Sequence, residues 1–309
     1  MSRCLVCFGE LTAGDYHPRC SVALFGTKQP LLLTLGVADL PAEGLKLLES
    51  HRGIAGVQRK LSLGRDAEQP QRLTVVGFQG RFILKPASSD YPALPENEAL
   101  TMELASRLGL PVAPHGLIRL ADGELGYLSR RFDRPQEGVR WHQEDFCQLA
   151  ERPAADKYKG SLEAAGKLLR FSRQRGLDAV RFLELNLYCW LTGNADMHLK
   201  NFSLLHEPNI GWSLSPAYDL VSTALVLPDD SEETALPMNG KKANLKRKDW
   251  QALAASVGVE PKTFGRLAAR LASQTELVAT LAEGSCLPEA QKSAFTKRYA
   301  VRAALLGEA

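Results

Sequence analysis

Asn194-Ala195-Asp196-Met197-His198-Leu199-Lys200-Asn201-Phe202-Ser203 carries the most telling spacing in the chain, together with Pro216-Ala217-Tyr218-Asp219-Leu220 a short way on. An Asp, four residues and an Asn place a carboxylate and a carboxamide on one tight loop, and a second Asp follows on a separate turn. This is the spacing of a phosphoryl-transfer loop, in which the Asp takes a hydroxyl proton while the Asn and the later Asp hold magnesium. Asp196, Asn201 and Asp219 fit those roles in order. Such chemistry needs little covalent help, so a few acids and amides around metal ions suffice. Taken singly, Asp196 also fits a helix cap and Asp219 a turn residue. Lys200 reads as a contact for the transferred phosphate and His198 as packing within the loop.

The chain of 309 residues is 45% apolar and 24% charged, the mix of an ordinary globular protein. It can bury the core of one two-lobed domain or two modest ones. A net charge of +3 is too small to argue for nucleic acid or membrane. No apolar run approaches the roughly 20 residues of a spanning helix, and the start lacks a signal-peptide core, so the expected location is the cytoplasm. Six cysteines in such a length do not make a disulfide scaffold.

Three of those cysteines cluster in Cys4-x2-Cys7-x9-His17-x2-Cys20. Two short Cys/His pairs on turns can converge on one zinc ion, with Gly9 and Gly14 letting the segment fold back. In comparable peptides structural zinc contributes about 10–16 kcal/mol. Four protein ligands leave no open position, so the expected site is structural. The plain alternative is three small buried residues and a surface His. The resulting division is a Cys3His knuckle over 1–25, a linker and helix over 26–50, a β-rich part over 51–135 and a helical part over 136–309.

The 26–50 helix would use Leu40, Leu45, Leu47 and Leu48 as its apolar contacts. Gly53-Ile54-Ala55-Gly56-Val57-Gln58-Arg59-Lys60-Leu61-Ser62-Leu63-Gly64 then reads as a flexible turn entering a strand. Such a turn can bring backbone N–H groups to phosphates, although it is neither a Walker loop nor G-x-G-x-x-G, and a plain hairpin would look the same. Residues 73–76 and 82–85 are predicted as paired strands across Gly77 and Gly80. Lys85 ends the second strand, where a kinase places its phosphate-gripping lysine. Glu96 to Leu108 reads as an apolar-striped helix ended by Gly109. Glu98 near its start can reach back to Lys85, with Glu96 and Glu103 as competitors and dipole compensation as the simpler role. A hairpin follows over 116–120 and 125–129 around Asp122-Gly123. Arg130, Arg131 and Phe132 then stand at the crossover, where an adenine would meet backbone groups.

Helices are expected beyond that point: His142–Leu149, Gly160–Arg175, and Asp178–Thr192, which is apolar nearly all round and so the buried support of the Asp196 loop. Phe202–Leu205 and Trp212–Leu214 are predicted to form a hairpin over Glu207-Pro208-Asn209, returning the chain to Asp219. Residues 222–240 read as a mobile acidic loop. Lys241, Lys242, Lys246, Arg247 and Lys248 read as a solvated entrance to an Asp249–Val257 helix, or as a contact for nucleic acid or an acidic substrate.

With these pieces placed, the chain resembles the HipA family of bacterial Ser/Thr protein kinases, the toxin halves of toxin–antitoxin systems. The resemblance runs from about Gly53 to the C-terminal helices. It rests on Gly-Val-Gln-Arg-Lys (56–60), Phe-Ile-Leu-Lys-Pro (82–86), Glu-Asn-Glu (96–98), Arg-Arg-Phe-Asp-Arg (130–134), Gln-Glu-Asp-Phe-Cys-Gln (143–148), Asp196 to Phe202 and Pro216 to Leu220. It implies an α+β, two-lobed kinase-like fold with a small β-rich N-lobe and a larger all-helical C-lobe. It further implies ATP and Mg2+ as cofactors, with Lys85 on the phosphates, Asp196 as base, and Asn201 and Asp219 on magnesium. Gly53, Gly56, Gln58, Lys60, Glu98, Arg130, Arg131, Phe132 and Lys200 complete the nucleotide set.

The resemblance is to the short HipT form, which implies that the additional N-terminal subdomain of longer family members is expected as a separate small protein. Expected partners are therefore a helix-turn-helix antitoxin of HipB type, a HipS-like small protein and a host protein substrate, with DNA reached only through the antitoxin. Family targets include aminoacyl-tRNA synthetases. Family members autophosphorylate serines at or near the places of Gly53 and Ala55, neither of which can accept a phosphate, so self-inactivation by that route is not expected and control wholly by a partner is an alternative; Ser50 and Ser62 are nearby but out of register. Rival readings are a zinc-knuckle binding module that recruits an antitoxin, and a kinase acting on a lipid or other small molecule.

Overall fold

Alternating apolar residues drive the first part of the chain into a sheet. The computed structural model describes residues 2–39, 60–76, 80–87, 90–91 and 93–307, and these form two units. The first unit comprises Met1–Glu103, Ala113–Val139 and Leu281–Pro288; the second comprises Leu104–Val112, Arg140–Thr280 and Glu289–Ala309. The predicted helix contacts from Leu40 onward, and Gly53, Gly56 and Gln58 of the glycine-rich turn, lie outside the described residues.

In the first unit a short ribbon, β1 (Ser2–Arg3) with β2 (Glu10–Leu11), precedes helix α1 (Pro18–Phe25). Six strands follow: β3 (Leu32–Leu33), β4 (Leu61–Arg65), β5 (Arg72–Val75), β6 (Phe82–Lys85), β7 (His115–Arg119) and β8 (Leu125–Arg130). Their order is β3-β5-β4-β6-β8-β7, antiparallel except for β3 with β5. The strands predicted over 73–76 and 82–85 exist but do not pair with each other. Leu63 of β4 stands between them, opposite Val75 on one side and Phe82 on the other. Gly80 explains why: a Cβ there would sit 2.6 Å from the Leu63 carbonyl oxygen, so this glycine lies against β4 instead of turning a hairpin. Alternation marks a strand but not its neighbour.

Leu33, Leu61, Leu63, Leu73, Phe82, Leu84, Ile118 and Leu128 form the core of this unit, joined by Cys4, Leu24 and Phe25 from the N-terminal segment. Helix α2 (Leu94–Arg107) starts two residues before its predicted beginning, and Gly109 at φ 86° turns the chain out of it. The β7–β8 hairpin closes over Asp122-Gly123 as read, with Gly123 at φ 89° and Asp122 Oδ1 accepting the Glu124 N–H.

The second unit is mostly helical but not wholly so. Its expected all-helical character is interrupted by a sheet of β9 (His142–Asp145), β10 (Ser203–Glu207) and β11 (Gly211–Leu214), in the order β11-β10-β9. The helix predicted over His142–Leu149 is thus a strand followed by one turn, α3 (Phe146–Leu149). Asp145 stops the strand and caps that turn, accepting the Gln148 N–H at 2.9 Å in a capping box. The predicted Gly160–Arg175 helix is likewise cut. Helix α4 (Leu162–Lys167) passes into a 3-10 turn and ends at Ser172, whose extended backbone puts its hydroxyl 2.6 Å from the buried Asp178 carboxylate. The other work of Asp178 Oδ2 is to accept the Leu214 N–H at 2.7 Å, tying the start of the next helix to β11.

That helix, α5 (Arg175–Thr192), buries Phe182, Leu183, Leu187, Tyr188, Trp190 and Leu191 and ends at Gly193, left-handed at φ 78°. Helices α6 (Arg247–Ser256), α7 (Pro261–Ala272), α8 (Thr275–Gly284) and α9 (Glu289–Gly307) complete the chain, with Trp250 of α6 packed 5.6 Å from Trp190. The acidic loop expected to be mobile is anchored instead. Ala235, Leu236 and Met238 are buried, and Glu233 accepts bonds from Trp190 Nε1 and the Leu245 N–H. Much of the basic run is spent internally: Lys241 pairs with Asp249, Lys242 with Glu232, and Arg247 lies on Phe264. Among the described residues no helix is long and apolar enough to cross a membrane.

Candidate active site

The end of α5 decides where the loop begins. Past Gly193 the chain cannot continue as helix, and side chains catch its freed backbone groups. Thr223 Oγ1 accepts the Ala195 N–H at 2.9 Å and donates to the Gly193 carbonyl at 3.1 Å, while Asn194 Oδ1 accepts the Asp196 N–H at 2.9 Å. The loop closes on itself through Asn201, whose Nδ2 donates to the Asp196 carbonyl at 3.0 Å. With its nitrogen committed, the amide oxygen of Asn201 is the group left to act as a ligand. Asp196 is half-buried and Asn201 buried.

Asp219 is brought in by its neighbour. The Tyr218 hydroxyl donates to the Lys200 carbonyl at 3.0 Å and lies 2.5 Å from Ser203 Oγ, which also accepts from Gln143 Nε2. Upstream, the Ala217 N–H donates to the Pro111 carbonyl at 2.8 Å. Between these fixed points Asp219 takes φ 60°, a left-handed conformation that costs a non-glycine residue roughly 1–2 kcal/mol. Strain held at an acid beside a polar loop marks a site where side-chain direction outweighs backbone comfort.

Lys200 points elsewhere than its sequence reading had it. Its ammonium lies 2.7 Å from Asp145 Oδ2, so it joins the Asp196–Asn201 stretch to the cap of α3. His198 packs edge-on against Tyr158, with ring centroids 5.0 Å apart. Tyr158 is the residue the sequence reading missed: its hydroxyl donates to Asp196 Oδ1 at 2.5 Å. Burial, and after it the Asp196 charge, push this phenol far above its ordinary range, so it stays a proton donor at every working pH. Nothing in Asp156-Lys157-Tyr158 announces that contact. The capping signature Asp145-x-x-Gln148, by contrast, was there to be read.

In the first unit Lys85, at the end of β6, meets Glu98 of α2 through both carboxylate oxygens, at 2.6 and 2.7 Å. The pair is buried, so the choice among three acids resolves to Glu98. Glu103 faces His115 at 3.8 Å, and Glu96 is half-withdrawn from solvent with its carboxyl pushed up by burial. Lys60 stands partly exposed just before β4, whereas Ser62 is a buried strand residue. Ser50, Gly53 and Ala55 are outside the described residues.

At the crossover the side chains are structural. Arg131 makes a two-pronged contact with Asp133, at 2.9 and 2.7 Å, and Arg134 adds a third bond at 2.6 Å. The N–H groups of Arg130 and Arg131 are spent on the Pro114 and Arg81 carbonyls. Arg130 is half-buried, and burial, then Arg81, lower its pKa. Phe132 follows directly, partly exposed.

The N-terminal set is also assembled. The ligand atoms of Cys4, Cys7, His17 and Cys20 all lie within 4.8 Å of one another. Burial pushes the Cys4 thiol up, yet the N–H groups of Cys7, His17 and Val6 turned to its sulfur bring it below its ordinary value.

A family model described as the HipA-like C-terminal domain matches residues 52–279. "Putative kinase Y4mE" of Sinorhizobium fredii is 36% identical over 255 residues, 78% of this chain and 58% of that protein. "Putative kinase Y4dM" of the same organism is 34% identical over 226 residues, 68% of this chain and 54% of that one. The chain thus spans little more than half the length of these relatives. "Serine/threonine-protein kinase toxin HipA" of Shewanella oneidensis is 30% identical over 191 residues, 55% of this chain and 42% of the toxin. Among solved structures, the complex of Shewanella oneidensis HipA with HipB and operator DNA matches at a TM-score of 0.70 and 23% identity, over 82% of this chain and 65% of that one. The Helicobacter pylori proinflammatory kinase CtkA matches at 0.57 and 14% identity, over 89% and 93%. Both structural likenesses are of fold.

Proposed function

Because this chain belongs to the family of HipA-like C-terminal domains, we propose that it is an ATP- and magnesium-dependent kinase that phosphorylates a serine or threonine of a host protein, as the toxin of a toxin–antitoxin pair. The observation that carries this reading is the closed Asp196–Asn201 loop with Asp219 held in a left-handed conformation by its bonded neighbour Tyr218. A carboxylate and an amide oxygen are hard donors suited to magnesium, so the residues fit the ion the family implies. Bound ATP with magnesium would supply the phosphoryl group and neutralise its charge.

The protein's part is positioning and proton handling. Asn201 and Asp219 would hold the ion. Asp196, oriented by the Tyr158 hydroxyl, would accept the proton of the substrate hydroxyl. Lys85, fixed by Glu98, would grip phosphates. Lys200 is assigned to loop architecture, given its bond to Asp145. The crossover would meet adenine through backbone groups other than the N–H groups of Arg130 and Arg131, those being in use. One proposed partner is a HipB-type antitoxin, by analogy with the related HipA, whose solved complex contains HipB and operator DNA; a separate small HipS-like protein is proposed only on the likeness to the short HipT form.

Phosphoproteomics after brief induction tests the reading and finds the substrate. The parent is expected to raise a small set of phosphoserine or phosphothreonine sites that Asp219→Ala leaves unchanged from background. Identical site lists for the two proteins would reject it.

A further inference from the structure

We propose that Cys4, Cys7, Cys20 and the Nδ1 atom of His17 bind one zinc ion as a closed structural centre, and that this centre clamps the N-terminal segment onto the β7 edge of the first unit's sheet.

The distances fit a tetrahedral ion. With Zn–S near 2.3 Å and Zn–N near 2.05 Å, sulfurs sharing one ion stand about 3.8 Å apart, and a sulfur and a nitrogen about 3.6 Å. His17 Nδ1 lies 3.4 Å from Cys7 Sγ and 3.9 Å from Cys20 Sγ, on either side of that figure. The opposite ring nitrogen settles which atom ligates. His17 Nε2 is 3.0 Å from the Glu10 carbonyl, which only accepts, so Nε2 carries the proton and Nδ1 presents its lone pair to the sulfurs. The three cysteines are buried and free of disulfides. The Cys4–Gly9 turn is closed at both ends, Phe8 N–H to the Cys4 carbonyl and Cys4 N–H to the Gly9 carbonyl, each 2.9 Å. Gly9 has no room for a side chain without crowding, since a Cβ would come within 3.3 Å of the His17 ring and 3.4 Å of Cys7 Sγ.

The residues beside the ligands do the clamping. Strand β7 ends the six-stranded order, so among the described residues one of its sides has no strand beside it. Leu5, next to Cys4, offers its carbonyl to the Leu117 N–H at 2.7 Å. Tyr16, next to His17, donates its hydroxyl to the Leu117 carbonyl at 2.8 Å. The two arms are joined by the Leu5 N–H to the Asp15 carbonyl at 2.9 Å. Gly116 makes the approach possible: a Cβ there would lie 2.7 Å from Val6 Cγ2. Both polar groups of one edge residue are therefore satisfied by the immediate neighbours of two ligands. An ion joining the Cys4–Cys7 turn to His17 and Cys20 holds the arms in that register.

The test uses the full chain, purified without chelator. Elemental analysis is expected to find about one zinc per chain, retained in Cys147→Ser and lost in Cys4→Ser/Cys7→Ser. Cobalt(II) added to the stripped parent should give the absorption of a tetrahedral, thiolate-bound ion. A folded parent that carries no zinc and gives no such cobalt spectrum overturns the site, and iron in place of zinc overturns the choice of ion. For the clamp, hydrogen exchange of the stripped parent is expected to show the Leu117 amide exposed while α5 stays protected. Unchanged Leu117 protection after complete stripping overturns that role.

Discussion

Two ionic arrangements in this molecule are built on opposite principles. In the first unit Lys85 and Glu98 are 4% and 0% exposed and neutralise each other through two short bonds. In the second unit Asp196 and Asp219 are half-buried on a loop, steadied by a phenol, an amide and backbone strain. A sealed pair fixes a position. Acids kept within reach of solvent and oriented by neutral donors can receive a proton or a metal ion and release it again. The proposed division of labour follows: the first arrangement sets geometry and the second carries out chemistry.

Removing one charge from each arrangement tests this contrast most severely. Asp219→Asn is expected to lower phosphate transfer by roughly 10²–10⁴-fold, the scale of losing one catalytic group, with the thermal midpoint within a few degrees of the parent. Lys85→Met should instead unfold easily, by about 3–5 kcal/mol in urea titration, because it removes the opposite charge bonded to the buried Glu98 carboxylate. Adding Glu98→Met should return most of that stability without returning transfer. If the double variant regains activity, Lys85 has no role with phosphate and the contrast fails.

His115 extends the same logic of burial to a single base. Its pKa is lowered to about 4 by burial, which outweighs the Ala113 carbonyl at its Nδ1. The unfolded chain takes up this proton near pH 6.5 and the folded chain only near pH 4, so the stabilisation is whole above about 6.5 and is lost as pH falls toward 4. The loss approaches roughly 3 kcal/mol. His115→Gln should flatten that slope in stability measured against pH. Tyr158→Phe is expected to act most gently, lowering the transfer rate about tenfold, the worth of one hydrogen bond to a charged group, with the KM for ATP and the stability unchanged.

How much of this could be read from the chain depended on whether a rule links residues by spacing. Asp196 and Asn201 lie on one loop, and their relation survives from sequence to structure. Lys85 and Glu98 are thirteen positions apart; strand position and family likeness pointed to the pair, and only packing chose Glu98 over Glu96 and Glu103. His-Gln-Glu-Asp at 142–145 has no strand-like alternation, and becomes a strand because β10 offers an edge to pair with. Tyr158 reaches Asp196 across 38 positions and no local pattern foretells that. Polar groups that meet through tertiary packing leave little trace in sequence, whereas turns and caps do: Gly123, Gly193 and Asp145 each stand where their chemistry requires.

Phosphate transfer is proposed to rest on the half-buried acids of the second unit. Its most direct test is incorporation of labelled phosphate from ATP into protein of a cell lysate, comparing the parent with a folded Asp196→Ala variant at equal concentration. Magnesium-dependent labelling on serine or threonine is expected from the parent and background labelling from the variant. Equal labelling by both would contradict it.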